Sequence, residues 1–139
     1  MRFLRRVRDA RGASNAGRAR GARRVKLPQR PTLGVEIAAP TLHVHVAETM
    51  VILTLEEAVV PEFLAALLQI ANSAVILRGT QLSATLLPAQ KPEQPAVYDP
   101  AEGWLMPLTP SEIASFSAQI RPISGAWEIA GGRYGVIVA

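Results

Sequence analysis

The chain predicts an α+β fold: a small, mostly antiparallel sheet made of an N-terminal three-strand meander and a C-terminal hairpin, with two short helices and an extended Arg-rich N-terminal arm. Three observations carry this. Short segments alternate apolar and polar residues with period two, two others repeat apolar residues at helical spacing, and the charge is divided sharply between the ends of the chain. Residues 1–30 hold eleven of the fifteen Lys and Arg and a single acid, Asp9, whereas the rest carries four basic residues against ten acids. The net +4 conceals this division. The organisation expected is an arm over 1–30 and one α+β domain over 31–139, containing a Pro-rich extended segment over 88–110.

Leu33, Val35 and Ile37 share one face of a strand, as do Leu42, Val44 and Val46, and Val51, Leu53 and Leu55. Breaks at Ala39-Pro40 and Glu48-Thr49 divide them into a meander, with Glu36, Thr41, His43, His45, Thr54 and Glu56 on the opposite face. A helix follows. Pro61 suits its first position, Glu62 its first turn, and Leu64, Leu67, Leu68 and Ala71 recur at helical spacing before Asn72-Ser73 stops it. The apolar run Ala74–Leu87, broken at Gly79, is either a hairpin turning near Arg78-Gly79-Thr80 or one long bulged strand.

Six prolines fall in the 23 residues from Pro88 to Pro110, a semi-rigid, extended composition. Tyr98, Trp104, Leu105 and Met106 make this segment adhesive, so it either lies over its own core or packs on a neighbouring subunit, with Tyr98, Trp104 and Met106 as the candidate interface. Recognition by a proline-binding domain is a third use. Thr109-Pro110-Ser111-Glu112 is a capping box that opens the second helix, whose face is marked by Ile113, Phe116 and Ile120 and which ends at Arg121-Pro122. The last element is a hairpin over Gly125–Val138 turning at Gly131-Gly132, which pairs Ile129 with Tyr134 and Trp127 with Val136. No internal repeat is evident.

The arm's cations are Arg2, Arg5, Arg6, Arg8, Arg11, Arg18, Arg20, Arg23, Arg24, Lys26 and Arg30. A block of like charge resists compaction until it meets a polyanion, and arginine favours bidentate contact with phosphate or carboxylate. Three readings compete: docking on nucleic acid through the phosphate backbone, a mitochondrial transit segment, and an assembly arm that pairs with acids on neighbouring subunits. Phe3 is the arm's one aromatic residue, so base stacking is not indicated.

Chemistry-bearing patterns are sparse. With no cysteine, there is no disulfide framework, thiolate metal site or cysteine nucleophile. His43-x-His45 places two imidazoles on one strand face, where Glu36, Glu48 or Glu56 would complete a metal set, although alternation alone puts polar residues there. Glu56-Glu57 and the pair Asp99 and Glu102 lack a fixed separation for acid–base work. No phosphate loop, nucleophile elbow or nucleic-acid-binding signature occurs, and no apolar run reaches the ~20 residues that span a bilayer.

The sequence therefore predicts a non-enzymatic structural or assembly protein of a large multi-subunit particle, best a virion component of the capsid-associated or tail kind, anchored by its Arg-rich arm. The alternative is a nucleic-acid-binding subunit of a ribonucleoprotein or nucleoid complex, and the third reading is a metal-binding or enzymatic domain using His43 and His45. No cofactor, small-molecule substrate or membrane contact is predicted. The expected partners are other protein subunits, in a homo- or hetero-oligomer, and nucleic acid through the arm. The expected location is a virion or the cytoplasm, or the mitochondrion if the arm is a transit segment.

Overall fold

A computed structural model describes residues 33–70 and 73–139. Within them the fold is α+β, with nine strands in two sheets and two α-helices. The strands are β1 (Leu33–Ala38), β2 (His43–Ala47), β3 (Met50–Leu55), β4 (Ser73–Arg78), β5 (Ser83–Pro88), β6 (Val97–Asp99), β7 (Gly103–Leu108), β8 (Gly125–Glu128) and β9 (Tyr134–Val138). Helix α1 spans Val60–Leu67 after a 3-10 turn at Glu57–Val59, and α2 spans Pro110–Gln119. One sheet has the order β1-β4-β5-β7-β6 and the other β2-β3-β9-β8.

The expected three-strand meander is corrected. Strands β2 and β3 form the antiparallel hairpin, but β1 crosses to the other sheet and pairs in parallel with β4, Val35 opposite Val75 and Ile37 opposite Leu77. Alternation reported that β1 had a buried face without reporting which sheet buried it. Ala39-Pro40 is the crossover rather than a hairpin turn, closed by Leu42 N–H donating to Ala39 O at 2.9 Å. The Ala74–Leu87 run is a hairpin, Val75 opposite Leu86 and Arg78 opposite Ser83. The C-terminal hairpin has the expected register, with Trp127 opposite Val136 and Ile129 N–H donating to Tyr134 O at 2.9 Å. Gly131 and Gly132 take φ of 91° and 75°, the left-handed region that glycine enters freely.

The Pro-rich segment is also more ordered than its composition suggests. Its second half forms the hairpin β6–β7, and β7 lies parallel to β5 inside the sheet. Pro107 is tolerated because β6 pairs with β7 only as far as Leu105, so the N–H that proline lacks falls on the β6 side past the end of that strand; its carbonyl accepts from Tyr134 and Arg133. Gly103 opens β7 with φ 87°, and a Cβ there would stand 2.5 Å from Ser83 O, so only glycine fits.

The order of elements conceals a duplication. Strands β2-β3, helix α1 and strands β4-β5 form one ββαββ unit, and β6-β7, α2 and β8-β9 form a second. The units exchange hairpins: β2-β3 of the first joins β9-β8 of the second, while β4-β5 of the first joins β7-β6 of the second. In each sheet the two hairpins meet through a parallel pair, β3 with β9 and β5 with β7. The registers correspond too, since Val51 lies opposite Tyr134 as Trp104 lies opposite Ala84. β1 stands outside this pattern, beside β4.

The inner faces of both sheets and the apolar sides of both helices share one core. Helix α1 contributes Val60, Phe63 and Leu67, continued by Ile70 just beyond its end, and Leu68 is 73% exposed. Of the expected stripe Leu64, Leu67, Leu68 and Ala71, Leu67 is buried and Leu64 packs half-buried against the core, whereas Leu68 turns outward and Phe63, which meets Phe116 of α2, takes the inward position; Ala71 and Asn72 lie outside the described residues. The corresponding stripe of α2 is Ile113, Phe116 and Ile120. Phe63 and Phe116 meet edge to face with ring centroids 6.0 Å apart. Strands β3, β4 and β5 are buried on both faces, which explains their nearly continuous apolar sequence.

Candidate interaction surfaces

The arm cations Arg2 through Arg30 lie outside the described residues. The body they precede carries all ten remaining acids and only Arg78, Lys91, Arg121 and Arg133. Two of these four are committed internally. Arg78 on β4 donates through Nε and Nη2 to Glu36 on β1, at 3.2 and 3.1 Å, which ties the extra strand to the sheet. The Glu36 hydrogen bond raises the Arg78 pKa.

Arg133 holds a buried junction. Its Nε donates to Glu112 Oε2 at 2.9 Å and its Nη2 to Glu112 Oε1 at 3.0 Å, a bidentate pair with a carboxylate on a residue only 4% exposed. Nη2 also reaches Pro107 O at 2.9 Å, Nη1 donates to Gln94 O, and the guanidinium stands 5.1 Å from the centroid of the Tyr134 ring. Glu112 at the same time accepts from Thr109 N–H at 2.9 Å, completing the predicted capping box. The Glu112 hydrogen bond raises the Arg133 pKa against the opposing effect of burial. Tyr134 donates to Pro107 O at 2.6 Å, and burial pushes its phenol well above the ordinary range. One guanidinium thus fixes the Pro-rich segment to β7, α2 and β9. The sequence offered no spacing signal for this; Glu112 read only as a cap.

The three aromatic and apolar candidates of the Pro-rich segment divide. Met106 is 0% exposed in the core, so it is not surface-available, and Trp104 is half-buried against that core. Tyr98 is exposed at the sheet edge, its ring 5.5 Å from that of Trp104. His43 and His45 lie on the edge strand β2, opposite Thr54 and Ile52. Burial, and then the neighbouring His43, lower the His45 pKa. Among the described residues no group of three His, Asp or Glu side chains is arranged to hold a metal ion, so the structure does not bring Glu36, Glu48 or Glu56 together with the histidines. Thr41 is directed instead to Glu56, at 3.3 Å.

Among the described residues, strand β8 is the other edge of the second sheet, opposite β2. Ile129 N–H is bonded to Tyr134, so by alternation Trp127 also faces β9, while Ala126 and Glu128 turn their backbone groups away from it. Helix α2 covers part of this edge: Gln119 Nε2 donates to Glu128 O at 3.3 Å and Ala130 N–H donates to Ser115 Oγ at 3.0 Å. Ala126 and Glu128 are exposed, and Ile123, just before the strand, is 59% exposed.

No known protein family matches this chain, and comparison with curated proteins finds no match. Among the described residues no helix is long and apolar enough to cross a membrane.

Proposed function

We propose that this protein is a non-enzymatic assembly subunit, whose polycationic arm engages acidic surface on neighbouring subunits of a larger particle. The observation that carries this reading is the charge division: eleven cations in 1–30 precede a body with ten acids and four cations, two of them committed to internal ion pairs. A body so arranged presents carboxylates outward, and a chain joining both charge types offers each copy what the next one needs. A virion component is the particle favoured, because a subunit lying on nucleic acid would more often have a basic body as well.

The second reading, a nucleic-acid-binding subunit, rests on the same eleven cations meeting phosphate. Deleting residues 1–30 separates the two. For an assembly subunit, the deletion lowers the native mass while the intact chain is weakly retained on RNA or DNA. For a nucleic-acid subunit, retention has a steep salt dependence that the deletion abolishes, because each neutralised phosphate releases counterions. That second pattern, with the native mass unchanged, counts against the assembly reading.

A further inference from the structure

Both faces of the five-stranded sheet are buried at its centre, and the described residues account for only one of them. A single row turns away from the shared core: Glu36, Ile76, Thr85, Leu105 and Val97, in register on β1, β4, β5, β7 and β6. Thr85 and Leu105 are each 1% exposed, as is Leu87 on the same face of β5, and Ala74 and Ile76 of β4 are buried with them. Neighbours within one open sheet face shield each other incompletely, so burial this deep requires a cover. Neither helix supplies it, because both pack on the opposite face, in the core that takes Val75, Leu77, Ala84, Leu86 and Met106. Residues 89–96 also keep to the core side, where Ala96 packs and Gln94 meets Arg133. On β1, by contrast, Gly34, Glu36 and Ala38 of the outer face are exposed. The cover is therefore confined to β4, β5 and β7, about 10 Å between the outer two at the usual strand spacing.

A single chain already shields these positions, so the cover belongs to that chain. Outside the described residues lie 71–72, held between Ile70 and the start of β4, and residues 1–32, which precede β1. The first residues of the arm suit the face. Phe3, Leu4 and Val7 recur at helical spacing, with Arg6 and Arg8 on the two flanks of that apolar stripe. A helix with its side chains is about 10–12 Å across, which matches the width covered. Three acids border the face, Glu36 on β1, Asp99 on β6 and Glu102 in the turn that follows it, against one cation, Arg78. That border complements the arginine flanks of the stripe. The smaller outer cluster of the second sheet, Ala47, Met50 and Ile52, lies instead beside His43 and His45 on β2. Reach is ample, because residues 8–32 extended span several times the roughly 15 Å from β1 to β7. We infer that Phe3–Val7 of the same chain docks as a short amphipathic helix on the outer face of the five-stranded sheet, over Ile76, Leu87 and Leu105. The arm is then anchored at both ends, and its cations from Arg11 to Arg30 form a loop held beside the acidic body.

This docking goes beyond the assembly reading and does not depend on it. The chain has no cysteine, so Thr85→Cys places a single thiol at the centre of the face. Its rate of modification by a small disulfide reagent is measured in the full-length chain, in the full-length chain that also carries Phe3→Ser, Leu4→Ser and Val7→Ser, and in a chain lacking residues 1–10. With the native arm the thiol is expected to react at least about tenfold more slowly than in either altered chain, at a rate that protein concentration does not change. Ala74→Cys gives a second thiol on the same face, for which the same pattern is expected. Equal rates in all three chains overturn the docking. Protection that survives both alterations and is lost only when residues 1–30 are removed assigns the cover to a later part of the arm and overturns Phe3–Val7. Protection that deepens with protein concentration assigns the cover to a second copy and overturns docking within one chain. The native mass of the same chains reports separately on the assembly reading, so either can fail alone.

Discussion

Arg133 and Glu112 show how much of this structure depends on single side chains. Glu112 serves two partners, the α2 cap and the guanidinium that secures Gln94 and Pro107. Removing one partner leaves the other buried and uncompensated. Arg133→Met is expected to lower stability by about 3 kcal/mol, the low end for a broken buried pair because the arginine side chain is partly exposed. Denaturant unfolding checks this, and protease cleavage near Gln94 should rise in parallel. His45 gives a pH prediction. Its folded pKa lies below the ordinary 6.5, so the unfolded chain takes up the proton first. Stability is therefore highest above pH 6.5 and falls as the pH drops through that value towards the folded pKa. His45→Gln should flatten that part of a Tm–pH profile, and an unchanged profile would show that His45 is not its source. The Arg133–Glu112 pair was not legible in the sequence, because partners brought together by folding leave no spacing between them; His43-x-His45 was visible as the one place for a pH-sensitive contact, but the burial of His45 was not.

Elements were easier to read than their partners. The α2 cap was explicit in Thr109-Pro110-Ser111-Glu112, since capping is local chemistry, and Thr109→Ala should cost about 1 kcal/mol on denaturation. The Gly131-Gly132 turn fixed the register of the last hairpin for the same reason. β1 was recognised as a strand and assigned to the wrong sheet, because period two encodes a buried face and says nothing of a neighbour. The α1 stripe was read correctly at Leu67 and missed Phe63, because Leu64 and Leu68 offer an alternative apolar spacing beside it. Phe63→Ala and Phe116→Ala should each lower stability by about 3–5 kcal/mol. Because the rings touch at 6.0 Å, the double variant should lose less than the sum, as a double-mutant cycle would show.

The duplication was hidden in the sequence because the two units share little besides the spacing Val60, Phe63, Leu67 against Ile113, Phe116, Ile120. It matters at the scale of the whole molecule, because exchanged hairpins make each sheet depend on both units. The body should unfold in a single cooperative transition, with chemical and thermal unfolding giving coincident curves by different probes. The charge division, by contrast, was fully legible, since it is a property of composition. The assembly function proposed above rests on it. An acidic body preceded by a cationic segment should associate with its own copies without nucleic acid, through contacts that salt weakens. The most direct measurement is the native mass of nucleic-acid-free protein across concentration at low and high salt. The account predicts a mass that grows with concentration at low salt and returns to that of a single chain at high salt. A single-chain mass under both conditions would contradict it.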